Sequence, residues 1–177
     1  MLPAAAEPYP AGPDASSHVQ TVLALLRRLH RVSVVDCGSG VTHPVTRSVL
    51  DMADTVVVAA GPTPDELSRA IRTLDWVADS TDHGSGLAAT AVVVLSSGRS
   101  TLPAGRVAAA RHFQNRAQPL LELPRDPHLA TGRLVRPAGL RPATRAAALE
   151  LAATVADRFR PVPATPHRGV TAPGSAR

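Results

Sequence analysis

Short apolar segments of the kind that form buried β-strands alternate with helix-like segments along this chain. The strand candidates are residues 32–35, 55–60, 91–95 and 119–124. Each is a continuous apolar run rather than an alternation of apolar and polar residues, which is typical of strands covered on both faces. Because helical segments lie between them, the pattern predicts an α/β domain with a three-layer architecture, a mostly parallel sheet flanked by helices.

The clearest helix start in the sequence lies at Thr63, whose hydroxyl can cap the helix. Pro64 suits the first helical position, and Glu66 completes a capping box. Residues 18–30, 103–116 and 142–159 also have helical character. Each helix has a predicted apolar stripe. In the first helix it is Val22, Leu25, Leu26 and Leu29. In the helix after Thr63 it is Leu67, Ala70, Ile71, Leu74 and Val77, and in the last helix it is Leu149, Ala152, Ala156 and Phe159.

The chain has the length of one domain, with segments rich in Pro and Ala at both ends. We assign residues 1–16 to a disordered leader, 17–160 to the α/β domain and 161–177 to a disordered basic tail. The single Cys excludes an internal disulfide and fits a reducing compartment. No apolar run approaches the ~18 residues that span a membrane, and the first residues do not resemble a signal peptide. These features predict a cytoplasmic protein.

All 19 basic residues are Arg, so the chain contains no Lys. This composition excludes a Lys general base, a Lys Schiff base and the Lys of a phosphate-binding loop. The formal net charge is +5, which permits contact with nucleic acid or with acidic surfaces. Aromatic residues make up 2% of the chain, which is few for stacking on nucleic-acid bases.

The segment SVVDCGSG, residues 33–40, is the most informative for function. Here an apolar run delivers Asp36 to a glycine-rich turn, and ligands of open α/β sheets bind at the carboxyl ends of strands. Asp36 could hold Mg²⁺ through water, and Gly38, Ser39 and Gly40 could offer backbone amides to a phosphate. The alternative is that Asp36 caps a turn and the glycines only bend the chain. A dinucleotide fingerprint fails because His43 stands where its third Gly belongs.

Three other groups of residues each have two interpretations. Cys37 and His43 could form a nucleophilic pair, although a passive thiol is the simpler interpretation. Asp126 and His128 could share a metal ion, but an Asp that caps its own turn is the simpler alternative. An arginine group could contact DNA phosphates or could be merely solvated. Its members are Arg133, Arg136, Arg141 and Arg145.

The stretch VVDCGSGVTHPVTRSVLDMADTVVVAAGPTPDELSRAIRTLDWV, residues 34–77, resembles the ParA/MinD family of P-loop ATPases, in particular its MinD-like subgroup associated with type VII secretion. LPRDPH, residues 123–128, and the final helix are similar to later parts of that family, so the resemblance covers about residues 17–160. It implies ATP and Mg²⁺ as cofactors, Asp36 as the residue that orders Mg²⁺, and Pro124 and Asp126 beside the base. The family carries Asn where this chain has Ser96.

The chain departs from that family in one decisive respect, since it has no K-G-G-x-G-K-[ST] loop. The resemblance therefore implies an incomplete P-loop NTPase-like fold, and we do not expect this chain to hydrolyse ATP alone. The family also places a strand inside the sheet that is missing here, which would leave strand edges open to a partner protein or to self-association.

Three functional hypotheses follow from the sequence. The first is a partial ATPase that acts in ATP-dependent positioning or partitioning of DNA or protein cargo, or in support of secretion. In this hypothesis the phosphate-binding loop either belongs to another polypeptide or is encoded in a longer reading frame. The second is a non-catalytic protein-interaction module that keeps the fold. The third is nonspecific DNA binding through Arg residues, whose affinity would fall steeply with salt.

Overall fold

A computed structural model describes residues 13–38, 42–96, 111, 113, 120–131 and 134–159 of the chain. Within these ranges five helices and three strands occur, together with two short 3-10 turns at Leu129–Thr131 and Pro137–Gly139. In chain order the elements are α1 (Pro13–Leu29), α2 (Pro44–Leu50), β1 (Val57–Ala60), α3 (Pro64–Ser80), α4 (Gly84–Thr90), β2 (Val92–Ser96), β3 (Leu120–Leu123) and α5 (Pro142–Ala156).

The three strands form one parallel sheet in the order β1-β2-β3. Val57 pairs with Val92, and Val93 pairs with Leu120, so all three strands end at the same edge. The prediction of an α/β fold with a parallel sheet is therefore confirmed: the predicted runs 55–60 and 119–124 each contain a strand, and the run 91–95 overlaps all of β2 except Ser96. The described sheet is small, and it does not by itself amount to a complete P-loop fold.

The start of α3 follows the predicted capping box in full. The Thr63 hydroxyl accepts a hydrogen bond from the amide of Glu66 at 3.4 Å, and the Glu66 carboxylate accepts one from the amide of Thr63 at 3.1 Å. Pro64 takes the first turn, where its missing N–H costs nothing. From this start the helix buries the predicted stripe, since Leu67, Ala70, Leu74 and Val77 are all buried.

The core lies between α3 and one face of the sheet. Alternate strand residues point to this face, and α3 covers it, with Phe113 beside them. The buried members are Val58, Leu67, Ala70, Leu74, Ala91, Val93, Leu95 and Phe113. A second cluster joins α2, α3 and α4 through Leu50, Val77, Leu87 and Ala88, with Trp76 packed against its side. Apart from Phe113, the buried members of both clusters are Val, Leu and Ala, which fits the low aromatic content of the chain.

The predicted strand at residues 32–35 is wrong. In the structure these residues form an extended connection between α1 and α2 and pair with no described strand. Their side chains are exposed, with Val34 at 93%. The physical reason is that an apolar β-branched run becomes a strand only when a neighbouring strand accepts its backbone hydrogen bonds. Asp36 consequently does not stand at the carboxyl end of a strand.

Two helices differ from their sequence expectations. The first helix begins at Pro13 rather than His18, so residues 13–16 of the assigned leader lie in its first turns and Ser16 and Ser17 lie inside it. The last helix is present, but the stripe expected to face the core is not buried: Leu149 is 71% exposed. Of the predicted helix 103–116, only Arg111 and Phe113 are among the described residues, and both are helical.

Candidate functional site: the carboxyl edge of the sheet

The carboxyl ends of β1, β2 and β3 meet at one edge, where ligands of open α/β sheets bind. Ser96 is the last residue of β2 and pairs with Leu123, and Pro124 follows Leu123 directly. The structure thus brings the predicted residues Ser96 and Pro124 onto neighbouring strand ends. Ser96 is exposed and Pro124 is partly buried.

The loop that carries Asp36 is open to solvent. One oxygen of the Asp36 carboxylate accepts a hydrogen bond from the amide of Gly38 at 2.9 Å, and Gly38 has a left-handed backbone with a φ of +60°. This geometry is that of an Asp capping its own turn, and a residue with φ near +60° favours Gly. The predicted phosphate-binding residues Ser39 and Gly40 lie outside the described residues.

Cys37, next to Asp36, is not prepared as a nucleophile. The residue is exposed, but neighbouring atoms crowd its sulfur, and this desolvation raises the pKa of the Cys37 thiol. The adjacent Asp36 carboxylate raises that pKa further. Reactive cysteines have a lowered pKa, because the thiolate is the attacking species. The geometry therefore favours the passive thiol.

The beginning of α3, which follows β1, is closed by an acid of the chain itself. Hydrogen bonds from Thr63, first from its hydroxyl and then from its amide, lower the pKa of the Glu66 carboxyl. The same carboxylate fills the space beside Gly61, where an added Cβ would overlap its oxygens. Of the amides at this helix start, that of Thr63 is therefore already bonded to a carboxylate and that of Glu66 to the Thr63 hydroxyl.

The beginning of α5 is closed in the same way by Asp126, which is 3% exposed. One carboxylate oxygen accepts a hydrogen bond from the amide of His128 at 2.9 Å, and the other accepts one from the amide of Arg141 at 2.7 Å. The Arg141 amide contributes most to lowering the pKa of the Asp126 carboxyl. Asp126 thus ties the end of β3 to the start of α5.

His128 extends this connection to the loop before α5. Its Nε2 accepts a hydrogen bond from the amide of Arg136 at 3.2 Å. A Cβ added at Gly139 would stand 2.7 Å from the His128 ring, so any side chain there would have to displace the imidazole. We call Asp126, His128 and the backbone they hold at Arg136, Gly139 and Arg141 the Asp126 clasp.

The clasp decides between the two interpretations of Asp126 and His128. Both carboxylate oxygens and the Nε2 atom are used by backbone amides, so the turn-cap interpretation describes the geometry. Within the described part of the chain, no three His, Cys, Asp or Glu side chains come together in a way that could hold a metal ion. No helix in that part is long and apolar enough to cross a membrane.

Sequence reasoning found Asp126 but missed the clasp. The signal is present as DPH at residues 126–128 followed by RPAGLRP at residues 136–142, in which Gly139 permits the close approach. Of the predicted arginine group, Arg136, Arg141 and Arg145 are exposed around the clasp, whereas Arg133 lies outside the described residues.

Comparison with known proteins gives one informative similarity. No family model matches the chain, and no solved structure matches it. The ESX-1 secretion-associated protein EspI, from two strains of Mycobacterium tuberculosis, is 33% identical to it over 135 residues. That alignment covers 75% of this chain and only 20% of EspI. The chain is therefore similar to about one fifth of a protein described as ESX-1 secretion-associated.

Proposed function

We propose that this chain is a secretion-associated α/β module that acts by binding protein partners and does not hydrolyse ATP by itself. The similarity to EspI supports the association with secretion. The single observation that carries the non-catalytic part is the state of the two helix starts after β1 and β3. At each start, one of the chain's own carboxylates accepts a hydrogen bond from the amide of the capping residue, Thr63 or Arg141.

This arrangement works against nucleotide binding for an electrostatic reason. A helix start attracts phosphate through its unpaired amides and positive end of the helix dipole. Glu66 at α3 and Asp126 at α5 each pair with one such amide and add negative charge beside the helix start. With no Lys in the chain to offset that charge, we expect neither of these two helix starts to act as a preorganised triphosphate site.

Exposed apolar side chains support the protein-binding part of the proposal. Val22, Leu25 and Leu29 form a stripe on α1 and are 43%, 53% and 66% exposed. The extended residues 32–35 continue the apolar character directly after this helix. Contiguous exposed apolar surface of this kind is characteristic of protein contact sites. A protein component of the secretion system is the partner that the EspI similarity favours.

A complementation experiment in the native host tests this function. The gene is deleted and replaced by the wild type, by Asp36→Ala, by the α1 double variant Leu25→Glu/Leu29→Glu, or by a control with Gln20→Glu/Ala24→Glu on exposed positions of the same helix. The readout is the amount of ESX-type secretion substrates in the culture filtrate, with the chain quantified inside the cells.

We expect secretion to fall on deletion and to return with the wild type, Asp36→Ala and the α1 control, but not with the α1 double variant. Secretion unchanged by deletion would overturn the association with secretion. Loss of secretion with Asp36→Ala would instead favour a nucleotide-dependent role.

A composite nucleotide site is the second candidate function. Its support is the exposed Asp36 carboxylate, together with the adjacency of Ser96 and Pro124 at the carboxyl edge. In this version a partner resembling the ParA/MinD family supplies the phosphate-binding loop, and ATP and Mg²⁺ bind between the two proteins for positioning of protein or DNA cargo. It predicts that Mg²⁺ and ATP strengthen partner binding and that Asp36→Ala removes this effect.

A further inference from the structure

Acidic and basic residues are segregated along this chain. Residues 83–149 contain nine of the 19 basic residues and only two of the 14 acidic ones, Glu122 and Asp126. Residues 51–82 contain seven acidic residues and two basic ones. The net charge of +5 is therefore the sum over a strongly basic part, residues 83–149, an acidic part, residues 51–82, and the rest of the chain. The local surface potential depends on the charge of each part rather than on the total.

The Asp126 clasp concentrates part of this basic excess at one place. Arg125 precedes Asp126, the amides of Arg136 and Arg141 bond to the clasp, and Arg145 lies one helical turn after Arg141. All four side chains are exposed, and none forms an ion pair with another residue that the structure describes. We call Arg125, Arg136, Arg141 and Arg145 the arginine surface.

The clasp positions the backbone at Arg136 and Arg141 by hydrogen bonds, and it does not neutralise their guanidinium groups by direct pairing. Both carboxylate oxygens of Asp126 bond to backbone amides rather than to guanidinium groups. Fixing the backbone reduces the entropy lost when a ligand is bound. Guanidinium groups form bidentate hydrogen bonds with carboxylates and are less strongly hydrated than ammonium groups. They are therefore well suited to bind a carboxylate-rich ligand.

The charge distribution favours a short acidic ligand over a nucleic acid. Arg141 is the capping residue of α5 and Arg145 lies in its first turn, whereas Arg125 and Arg136 lie in the segments that the clasp joins to this helix start. Duplex DNA is an extended polyanion with a charge about every 1.7 Å, whereas this surface consists of four basic side chains around one helix start, a size that a short acidic segment matches. The 2% aromatic content gives little support for base stacking.

We infer that the arginine surface binds an acidic segment of a partner protein. The inference rests on the proposed protein-binding function, but it concerns a surface separate from the α1 stripe and assigns the partner's chemistry. The contact consists of guanidinium–carboxylate pairs arranged around the start of α5, and it weakens as salt screens exposed charges.

A binding titration of the purified full chain tests this inference. The probe is a fluorescein-labelled 12-residue peptide of Asp and Glu with Gly and Ser spacers, compared with the same peptide carrying Asn and Gln and with a 20-base-pair DNA duplex. The proteins are the wild type, the triple variant Arg136→Gln/Arg141→Gln/Arg145→Gln, and a control triple, Arg47→Gln/Arg69→Gln/Arg72→Gln, which loses the same charge from exposed positions on α2 and α3. Thermal melts check that each variant is folded.

At 150 mM NaCl we expect the acidic peptide to bind at least tenfold more tightly than the Asn/Gln peptide and the duplex. The triple variant should weaken the acidic peptide at least tenfold, and the control triple less than twofold. Absence of peptide binding, or equal weakening by both triples, would overturn the inference. Duplex binding as tight as peptide binding would assign the surface to nucleic acid instead. The secretion assay uses α1 variants with an intact arginine surface, so it reports on the proposed function independently.

Discussion

Asp126 and Glu66 each place a carboxylate at the beginning of a helix, where unpaired amides would otherwise attract an anion. In both cases hydrogen bonds to the ionised form lower the carboxyl pKa, chiefly from the Arg141 amide for Asp126 and the Thr63 hydroxyl for Glu66. Asp36 differs, because its exposed loop leaves the residue in solvent with one bond to the Gly38 amide. Asp36 and Asp126, which the sequence analysis considered as Mg²⁺ and nucleotide contacts, therefore both accept hydrogen bonds from backbone amides of the chain itself.

The lowered pKa of Asp126 predicts a pH-dependent contribution to stability. Because the folded pKa lies below the unfolded value of about 3.9, this contribution is complete above that value and is lost as the pH falls through the folded pKa. Asp126→Asn should lower the Tm at pH 7 and should make the Tm less dependent on pH between about pH 5 and pH 3. Thermal melts at several pH values measure both effects.

Asp82→Asn is the matched control, since Asp82 is exposed and has no hydrogen bond to another residue in the described ranges. This variant should leave the Tm at pH 7 and its fall in acid nearly unchanged. If Asp126→Asn behaved like Asp82→Asn, the clasp would contribute nothing to stability.

Replacing two glycines of α4, which are only two residues apart, by Ala should change the free energy of unfolding in opposite directions. A Cβ at Gly84 would overlap the backbone carbonyl of Val77, whereas a Cβ at Gly86 meets nothing within 4 Å. Gly84→Ala should therefore destabilise the fold by about 1–3 kcal/mol, as overpacking does. Gly86→Ala should stabilise it by about 0.5–1 kcal/mol, because Ala loses less backbone entropy in a helix. Urea denaturation of both variants checks the sign of each change.

Among the elements, α3 is predictable from its local sequence, whereas the helical conformation of α4 depends on tertiary contacts. The capping box at Thr63 and the stripe from Leu67 to Val77 are complete in the sequence, so the bounds of α3 follow from it. The segment HGSG at residues 83–86 has the composition of a turn. Its residues 84–86 are nevertheless helical, because Gly84 packs on α3 and Leu87 enters the second cluster. The apolar run at residues 32–35 failed for the opposite reason, because it finds no neighbouring strand.

Thr63→Ala tests whether the cap stabilises α3 as its geometry indicates. Removing the hydroxyl deletes the bond to the Glu66 amide and the bond to the Glu66 carboxylate. The expected loss is about 1 kcal/mol of unfolding free energy. Thr73→Ala is the comparison, since the half-buried Thr73 lies inside the same helix and its hydroxyl bonds to the Arg69 carbonyl. A loss there equal to that at Thr63 would show that the cap has no special effect.

On the scale of the whole molecule, the fold class was predictable from sequence and the site was only partly so. Continuous apolar runs predicted the parallel sheet, and the order of its strands places Ser96 beside Pro124 at the carboxyl edge. The Asp126 clasp escaped prediction because it joins residues up to 15 apart in sequence through backbone amides. Local residue patterns do not predict hydrogen bonds between side chains and backbone amides that are this far apart in sequence.

The exposure of the α1 stripe makes a prediction about the whole fold. Leu25→Glu/Leu29→Glu should change the unfolding free energy by less than about 0.5 kcal/mol per substitution, as exposed positions usually do. Leu74→Ala, at a side chain with no exposed surface, should cost about 2–5 kcal/mol. Chemical denaturation compares the two. A large loss in the α1 variant would mean that this stripe packs within the chain rather than facing a partner.

Titration of the purified chain with a fluorescent ATP analogue, with and without Mg²⁺, tests the central claim most directly. The capped helix starts and the lack of Lys predict no binding up to millimolar nucleotide, for the wild type and for Asp36→Ala alike. Micromolar, Mg²⁺-dependent binding that Asp36→Ala abolishes would contradict the account, because it would show a working phosphate site in this chain.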